Sequence, residues 1–314
     1  MCSSDLELIT DADLIVGWGC ALNMWTMRHG SLIGAAAKVA QVDVEQAALG
    51  AHRPVQLGVC GDAGQTARDV ATALDTALDT ALDTALGTTL GTTRTGYRDP
   101  ALGERIAREA RWNSVAHTDL STADRIDPRT LSNRLDQLLP TERVVAVDSG
   151  NFMGYPSAYL SVPDEYGFCF TQAFQSIGLG LATAIGAAIA RPDRLPVAAL
   201  GDGGFHMSLT ELDTAVRLRL PLVVVVYHDT GYGAEVHHFT EATEAELSPV
   251  RFPDTDLAAI GRGFGCAGLT VRTPGDLAGV TEWLAGPRDA PLVIDAKIAN
   301  DGGSWWLAEA FRGH

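Results

Sequence analysis

Two aspartates and a cluster of glycines carry the chemistry this sequence can do. Gly201, Gly203 and Gly204 surround Asp202 at the end of the short apolar run Leu195-Pro-Val-Ala-Ala-Leu200. Asp229 follows a second run, Leu222-Val-Val-Val-Val-Tyr227. Carboxylate oxygens are hard ligands that suit Mg²⁺, and backbone amides left bare by glycine suit a phosphate. Together these residue types point to a site for a metal-bound diphosphate.

The elements around them must bring the two carboxylates to one place. Both apolar runs read as strands buried on both faces. Between them Leu209, Leu212, Val216 and Leu220 recur at helical spacing, and Pro221 stops the helix. The glycines then read as a bare turn that presents Asp202 at a strand end. Two parallel strands joined by one helix put Asp202 and Asp229 on the same rim of a sheet, where open α/β folds bind ligands. The same residues also fit a plain βαβ unit with acidic loop tips. The fold expected is α/β: a doubly wound parallel sheet, preceded by a partial α/β central domain.

Gly201-Asp202-Gly203, then 25 residues, then Asp229-Thr-Gly-Tyr-Gly resembles the thiamine diphosphate signature of the acetolactate synthase and 2-oxo-acid decarboxylase superfamily. Members usually carry Asn-Asn where this chain has His228-Asp229. The resemblance implies that Asp202, Asp229 and the carbonyl of Gly231 hold Mg²⁺, which in turn holds the cofactor's diphosphate. It assigns cofactor contact to Ser176, Ile177, Gly201, Asp202, Gly203, Gly204 and Tyr232. Ile177 falls where the family has a bulky apolar residue that keeps the cofactor bent, which makes proton abstraction at the thiazolium intramolecular. From the residues alone Ile177 is equally a core side chain ahead of a helix. Glu235 lies six residues after Asp229, where pyruvate decarboxylase and its relatives have a catalytic glutamate and acetolactate synthases an apolar residue. If buried, it would serve as a proton donor; otherwise it is a solvated helix carboxylate. His237 and His238 diverge on a helix and cannot both face one site.

The composition excludes several other classes. The chain has 314 residues, 46% of them hydrophobic, enough for two domains with sizeable cores. A formal charge of −16 argues against a nucleic-acid or acidic-membrane surface. Five scattered cysteines, Cys2, Cys20, Cys60, Cys169 and Cys266, have no metal-ligand spacing and read as reduced thiols of a cytoplasmic protein. The apolar run 177–190 is too short to span a membrane.

In chain order, residues 1–70 read as part of the family's central domain, with strands near 13–17, 38–44 and 55–59. That domain binds FAD in some members, but Gly17-Trp18-Gly19 lacks the third glycine of a dinucleotide fingerprint, because position 22 is Leu. FAD is thus weakly supported, and a flavin or nicotinamide dehydrogenase is disfavoured. Residues 71–127 read as a low-complexity helical insert and linker. Ala-Leu-Asp-Thr repeats there from Ala73, and its leucines stand four apart. On a helix such a stripe drifts by about 40° per copy, so it cannot face one partner for long. Residues 128–314 read as the diphosphate-binding domain. It opens with a helix at Asp127-Pro128, and Val144–Val147 ends in Asp148-Ser-Gly-Asn151. A Gly/Ala-rich helix covers 178–190, Pro291–Asp295 is the last strand, and the tail with Trp305, Trp306, Leu307 and Phe311 is aromatic.

The reading is the thiamine diphosphate- and Mg²⁺-binding part of an acetolactate synthase-like enzyme acting on 2-oxo acids by decarboxylation with carboligation. One alternative is a non-oxidative 2-oxo-acid decarboxylase that uses Glu235. Another, of a different class, is a non-catalytic cofactor-binding subunit or truncated remnant. The family's pyrimidine-binding domain, with its activating glutamate, has no counterpart in these residues. The expectation is therefore a homo-oligomer or a chain that needs a separate pyrimidine-domain subunit, and is silent without it.

Overall fold

The computed structural model describes residues 9–82, 100–109, 111–171, 174, 176–238, 243–304 and 307. They fall into two compact units, Met1–Val115 and Ala116–His314. In the first unit β1 (Leu14–Trp18), β2 (Lys38–Asp43) and β3 (Leu57–Cys60) form a parallel sheet in the order β1-β2-β3. Leu22, Met27, Leu32 and Val39 make its core. Gly17 is explained by that core, since a Cβ there would lie 3.0 Å from Leu22 Cδ2. The buried Gln41 ties the loops together: its amide donates to Ala48 O (3.2 Å), and its Oε1 accepts from Gly50 N (2.9 Å).

Helix α1 (Ala63–Leu82) carries the first two Ala-Leu-Asp-Thr copies; the rest of the repeat, 83–93, lies outside the described residues. Leu74 of this stripe is 63% exposed, as a drifting stripe requires. Residues 100–109, within the stretch read as insert and linker, form helix α2 (Pro100–Glu109). Gly103 breaks the apolar period that would have shown it, while Arg105 and Glu109 pair across one turn.

The second unit is built on six parallel strands in the order β5-β4-β6-β7-β9-β8. These are β4 (Arg143–Val147), β5 (Phe168–Phe170), β6 (Leu195–Gly201), β7 (Val223–His228), β8 (Ala267–Val271) and β9 (Leu292–Lys297). The apolar runs mark every strand but β5, which is three residues long and half exposed. Helices cover both faces, as a doubly wound sheet needs. Val224 and Val226 of β7 pack with Leu181, Leu212 and Leu257 on one face. On the other face Tyr227 stacks on Phe152 (5.3 Å) and bonds Ser132 of α3 (Pro128–Leu138) at 2.8 Å. The chain leaves β4 toward β5 and β6 toward β7, so the strand order reverses between β4 and β6, and a crevice opens beyond their C-terminal ends.

Among the described residues Cys20, Cys60, Cys169 and Cys266 are free thiols, and no helix is long and apolar enough to cross a membrane. Cys2 and the aromatic residues Trp305, Trp306 and Phe311 lie outside the described residues.

Asp127 caps α3 through Arg129 N (2.7 Å) and Thr130 N (3.4 Å), and its other oxygen accepts from Leu120 N (3.0 Å) and the Arg129 guanidinium (2.6 Å). Burial would raise its pKa; Arg129 and the amides outweigh that and hold it below the ordinary 3.8. Asp127→Ala is expected to lower stability by about 1–2 kcal/mol in urea denaturation at neutral pH. The folded pKa lies below the unfolded one. The difference between wild type and variant is therefore fully present above the unfolded pKa, and shrinks as pH falls through the folded one.

Candidate diphosphate and metal site

Three loops meet at Asp148, a residue that the sequence reading took only as a strand end. Its side chain is buried; Oδ1 accepts from Ser149 N (2.9 Å) and Oδ2 from Gly178 N (2.8 Å). Burial pushes its pKa up, against the amides of Gly178, Ser149, Leu179 and Gly180. Two glycines exist to let it in. A Cβ at Gly180 would lie 2.7 Å from Asp148 Cβ, and one at Gly204 would lie 2.4 Å from Asp148 Oδ2. Asp148 thereby ties the end of β4 to the Ser176–Gly178 corner and to the Gly201–Gly204 stretch.

That stretch is not the bare turn expected. Gly201 ends β6, Asp202 opens a helix, Asp202–Ser208, and Gly203 and Gly204 are inside it. The physical reason is close packing: a Cβ at Gly203 would lie 2.4 Å from Tyr232 Cε1. Tyr232 in turn meets Phe252 edge-on at 4.8 Å. Ser176 and Ile177 are half-buried, and the next residue, Gly178 (φ +85), would bring a Cβ within 3.0 Å of Met207 Cβ on the same helix. The structure therefore gathers Ser176, Ile177, Gly201, Asp202, Gly203, Gly204 and Tyr232 at one rim.

Asp202 is buried, with Oδ1 accepting from Gly203 N (3.0 Å) and Oδ2 from Gly231 N (3.0 Å). Asp229 is half-buried just beyond β7, with its carboxyl beside that of Asp202. Withdrawal of the Asp229 carboxyl from water, then the Asp202 charge, push the Asp229 pKa well above the carboxylate range. Burial raises Asp202 as well, with His228 opposing. The loop that follows is tightly held. Thr230 has φ +67, Tyr232 N donates to Val250 O (2.8 Å), and Phe252 N donates to Thr230 O (2.8 Å). A Cβ at Gly231 would lie 2.6 Å from Val250 O, and one at Gly233 would lie 2.2 Å from Asp229 Oδ2.

A cavity of about 250 Å³ opens beside Asp229 and Gly231, walled further by Asn151, Tyr155, Val236 and His237. His237 faces the site, and burial lowers its pKa. Glu235 is exposed and does not line this cavity. The burial on which its proton-donor role was conditioned is not supplied by the described residues. Asn151, at the end of the Asp148-Ser-Gly-Asn151 loop, is buried; its Oδ1 accepts from Ser304 N (3.0 Å) and Ser304 Oγ (2.7 Å), so the segment after β9 is fastened over the rim. Among the described residues no three His, Cys, Asp or Glu side chains converge as a metal cluster. A metal here would rely on two carboxyls and backbone oxygen.

Residues 148–296 match the family model described as thiamine pyrophosphate enzyme, C-terminal TPP binding domain. These residues are thus a C-terminal cofactor-binding domain of the thiamine diphosphate-dependent enzyme superfamily. It is 26% identical over 285 residues to the sulfoacetaldehyde acetyltransferase of Castellaniella defragrans, covering 85% of this chain and 46% of that one. With the acetolactate synthase of Bacillus subtilis it shares 30% over 177 residues, covering 56% of this chain and 30% of that one. A solved structure, the thiamine diphosphate-dependent 4-hydroxybenzoylformate decarboxylase of Rhodococcus jostii RHA1, superposes with a TM-score of 0.67. The match covers 96% of this chain and 51% of that one, and at 19% identity it shows the fold alone. The chain spans about half the length of the sulfoacetaldehyde acetyltransferases it matches.

Gly203→Ala is expected to cost about 1–3 kcal/mol by driving a methyl into the Tyr232 ring. Adding Tyr232→Ala should return a large part of that loss. A double variant no better than the sum of its parts, in urea titrations, would show that the ring is not what demands glycine.

Proposed function

We propose that Asp202, Asp229 and the carbonyl of Gly231 hold Mg²⁺, and that the metal anchors the diphosphate of thiamine diphosphate. The observation that supports this most is the contact between the Asp202 and Asp229 carboxyls at the ends of adjacent parallel strands. Two such groups withdrawn from water repel unless a proton or a cation lies between them, and hard oxygen donors suit Mg²⁺. The residues present therefore fit the group.

Bound there, thiamine diphosphate supplies an electron sink for decarboxylation of a 2-oxo acid. This chain's own side chains do the rest of the holding. Ile177 offers the apolar wedge beside the helix of Asp202, Tyr232 walls the rim, and the Asn151–Ser304 tie keeps the segment after β9 across the opening. In this reading the domain is part of an acetolactate synthase-like enzyme that passes the acyl fragment to an acceptor. Its 2-oxo-acid substrate, and its assembly as a homo-oligomer or with a pyrimidine-domain subunit, belong to the same proposal. Two observations favour transfer over simple decarboxylation: Glu235 is exposed, and two relatives matched over 85% of the chain are named acetyltransferases.

Calorimetry is expected to show heat for thiamine diphosphate that requires Mg²⁺ and is abolished by Asp202→Ala. A non-catalytic remnant would give no metal-dependent heat. Asp229→Asn is expected to preserve or tighten affinity, because it removes one negative charge beside the diphosphate. A loss greater than tenfold would instead make the carboxylate a required ligand.

A further inference from the structure

Behind Asp202 runs a chain of ionisable side chains that the proposed chemistry does not use. The parallel register pairs His228 of β7 with Lys297 of β9, and Asp295, two residues earlier, shares the face of Lys297. His228, Asp295 and Lys297 are all buried. Lys297 Nζ donates to Asp254 Oδ1 and to Thr255 O (2.8 Å), and lies 3.1 Å from Asp295 Oδ2. The same ammonium stands 3.0 Å from His228 Nδ1. The second oxygen of Asp295 stands 2.8 Å from His228 Nδ1, and Asp295 Oδ2 also accepts from Leu257 N (3.0 Å). Burial works to raise the Asp295 pKa, but His228 and Lys297 outweigh it, so Asp295 is an acceptor. Asp295 and Lys297 therefore both meet the imidazole at Nδ1, at 2.8 and 3.0 Å, and this leaves Nε2 turned to Asp202 Oδ2, at 3.6 Å.

We propose that Lys297 and Asp295 are positioning residues of the metal site, acting on Asp202 through His228; this rests on the metal-diphosphate reading above. Buried ionic groups seldom stabilise a fold as well as apolar ones of the same volume, so a three-residue ionic chain at the sheet rim needs another use. Its inner end packs the imidazole against Asp202 Oδ2 at 3.6 Å, while Gly231 N holds that oxygen and Gly203 N the other. With the imidazole locked, the carboxylate has one orientation to offer a cation. Outer partners of this kind commonly alter metal affinity by about 10–100-fold.

The test is Mn²⁺ binding to the full chain with thiamine diphosphate, followed by electron paramagnetic resonance and without any assay of turnover. Lys297→Met is expected to weaken Mn²⁺ about tenfold or more, with near-UV circular dichroism retained, and Lys297→Arg to recover most of the loss. In a His228→Asn background Lys297→Met should have no further effect, which a loss of general stability would not reproduce. A folded Lys297→Met protein with wild-type Mn²⁺ affinity overturns the proposal, as does an equal loss in the His228→Asn background. Should Lys297→Met not fold, Asp254→Asn at the half-exposed end serves the same cycle. It is expected to weaken Mn²⁺ at least about threefold, and an unchanged affinity there also overturns the proposal. A wild-type chain that binds neither Mn²⁺ nor thiamine diphosphate removes the underlying site reading itself, and with it this inference.

Discussion

Two carboxyl groups withdrawn from water and in contact cannot both be charged without a counter-ion, and the rim of the second unit is arranged around that constraint. Asp202 and Asp229 are delivered to it by β6 and β7, adjacent parallel strands whose ends fall at the same height. Like charges would push the loops apart. The structure instead holds them with backbone: Gly231 N on Asp202, and the short bridge between residues 230–232 and 250–252. Thr230 at positive φ, Gly231 pressed against Val250 and Gly233 pressed against Asp229 are consequences of closing that loop.

The glycines take on a different meaning in this light. They look in the sequence like a phosphate cradle, yet at Gly180, Gly203 and Gly204 the missing Cβ makes room for protein. Asp148 and Tyr232 occupy that space. Their use is to let three loops from separate strands close on one another, so that Ser176, Ile177 and Asp202 share a rim that no single loop could shape. The same economy holds behind the site, where His228, Asp295 and Lys297 form a chain of charges on neighbouring strands.

The strands and the site were legible for a specific reason. A strand buried on both faces is mostly apolar, so the runs 144–147, 195–200, 222–227 and 291–294 announce themselves, although Arg143, Asp295 and Lys297 are buried in the same strands. β5 was not legible because three half-exposed residues leave no such run. Helix α2 was missed because Gly103 interrupts its period, and the glycine turn was misread because packing, not backbone freedom, requires those glycines.

From its sequence alone this protein could be assigned a parallel α/β unit with Asp202 and Asp229 at one rim, since strand order in a βαβ unit follows from handedness and burial. Local pattern carries such facts because they involve neighbours in the chain. Tertiary structure alone decided that Asp148 ties the loops and that Glu235 faces out while His237 faces in. It alone also set Lys297 beside His228, 69 residues away in the chain. Those depend on strand register and on which surfaces meet. No periodicity records that, because the partners are far apart in sequence and the choice among faces is made only when the sheet closes.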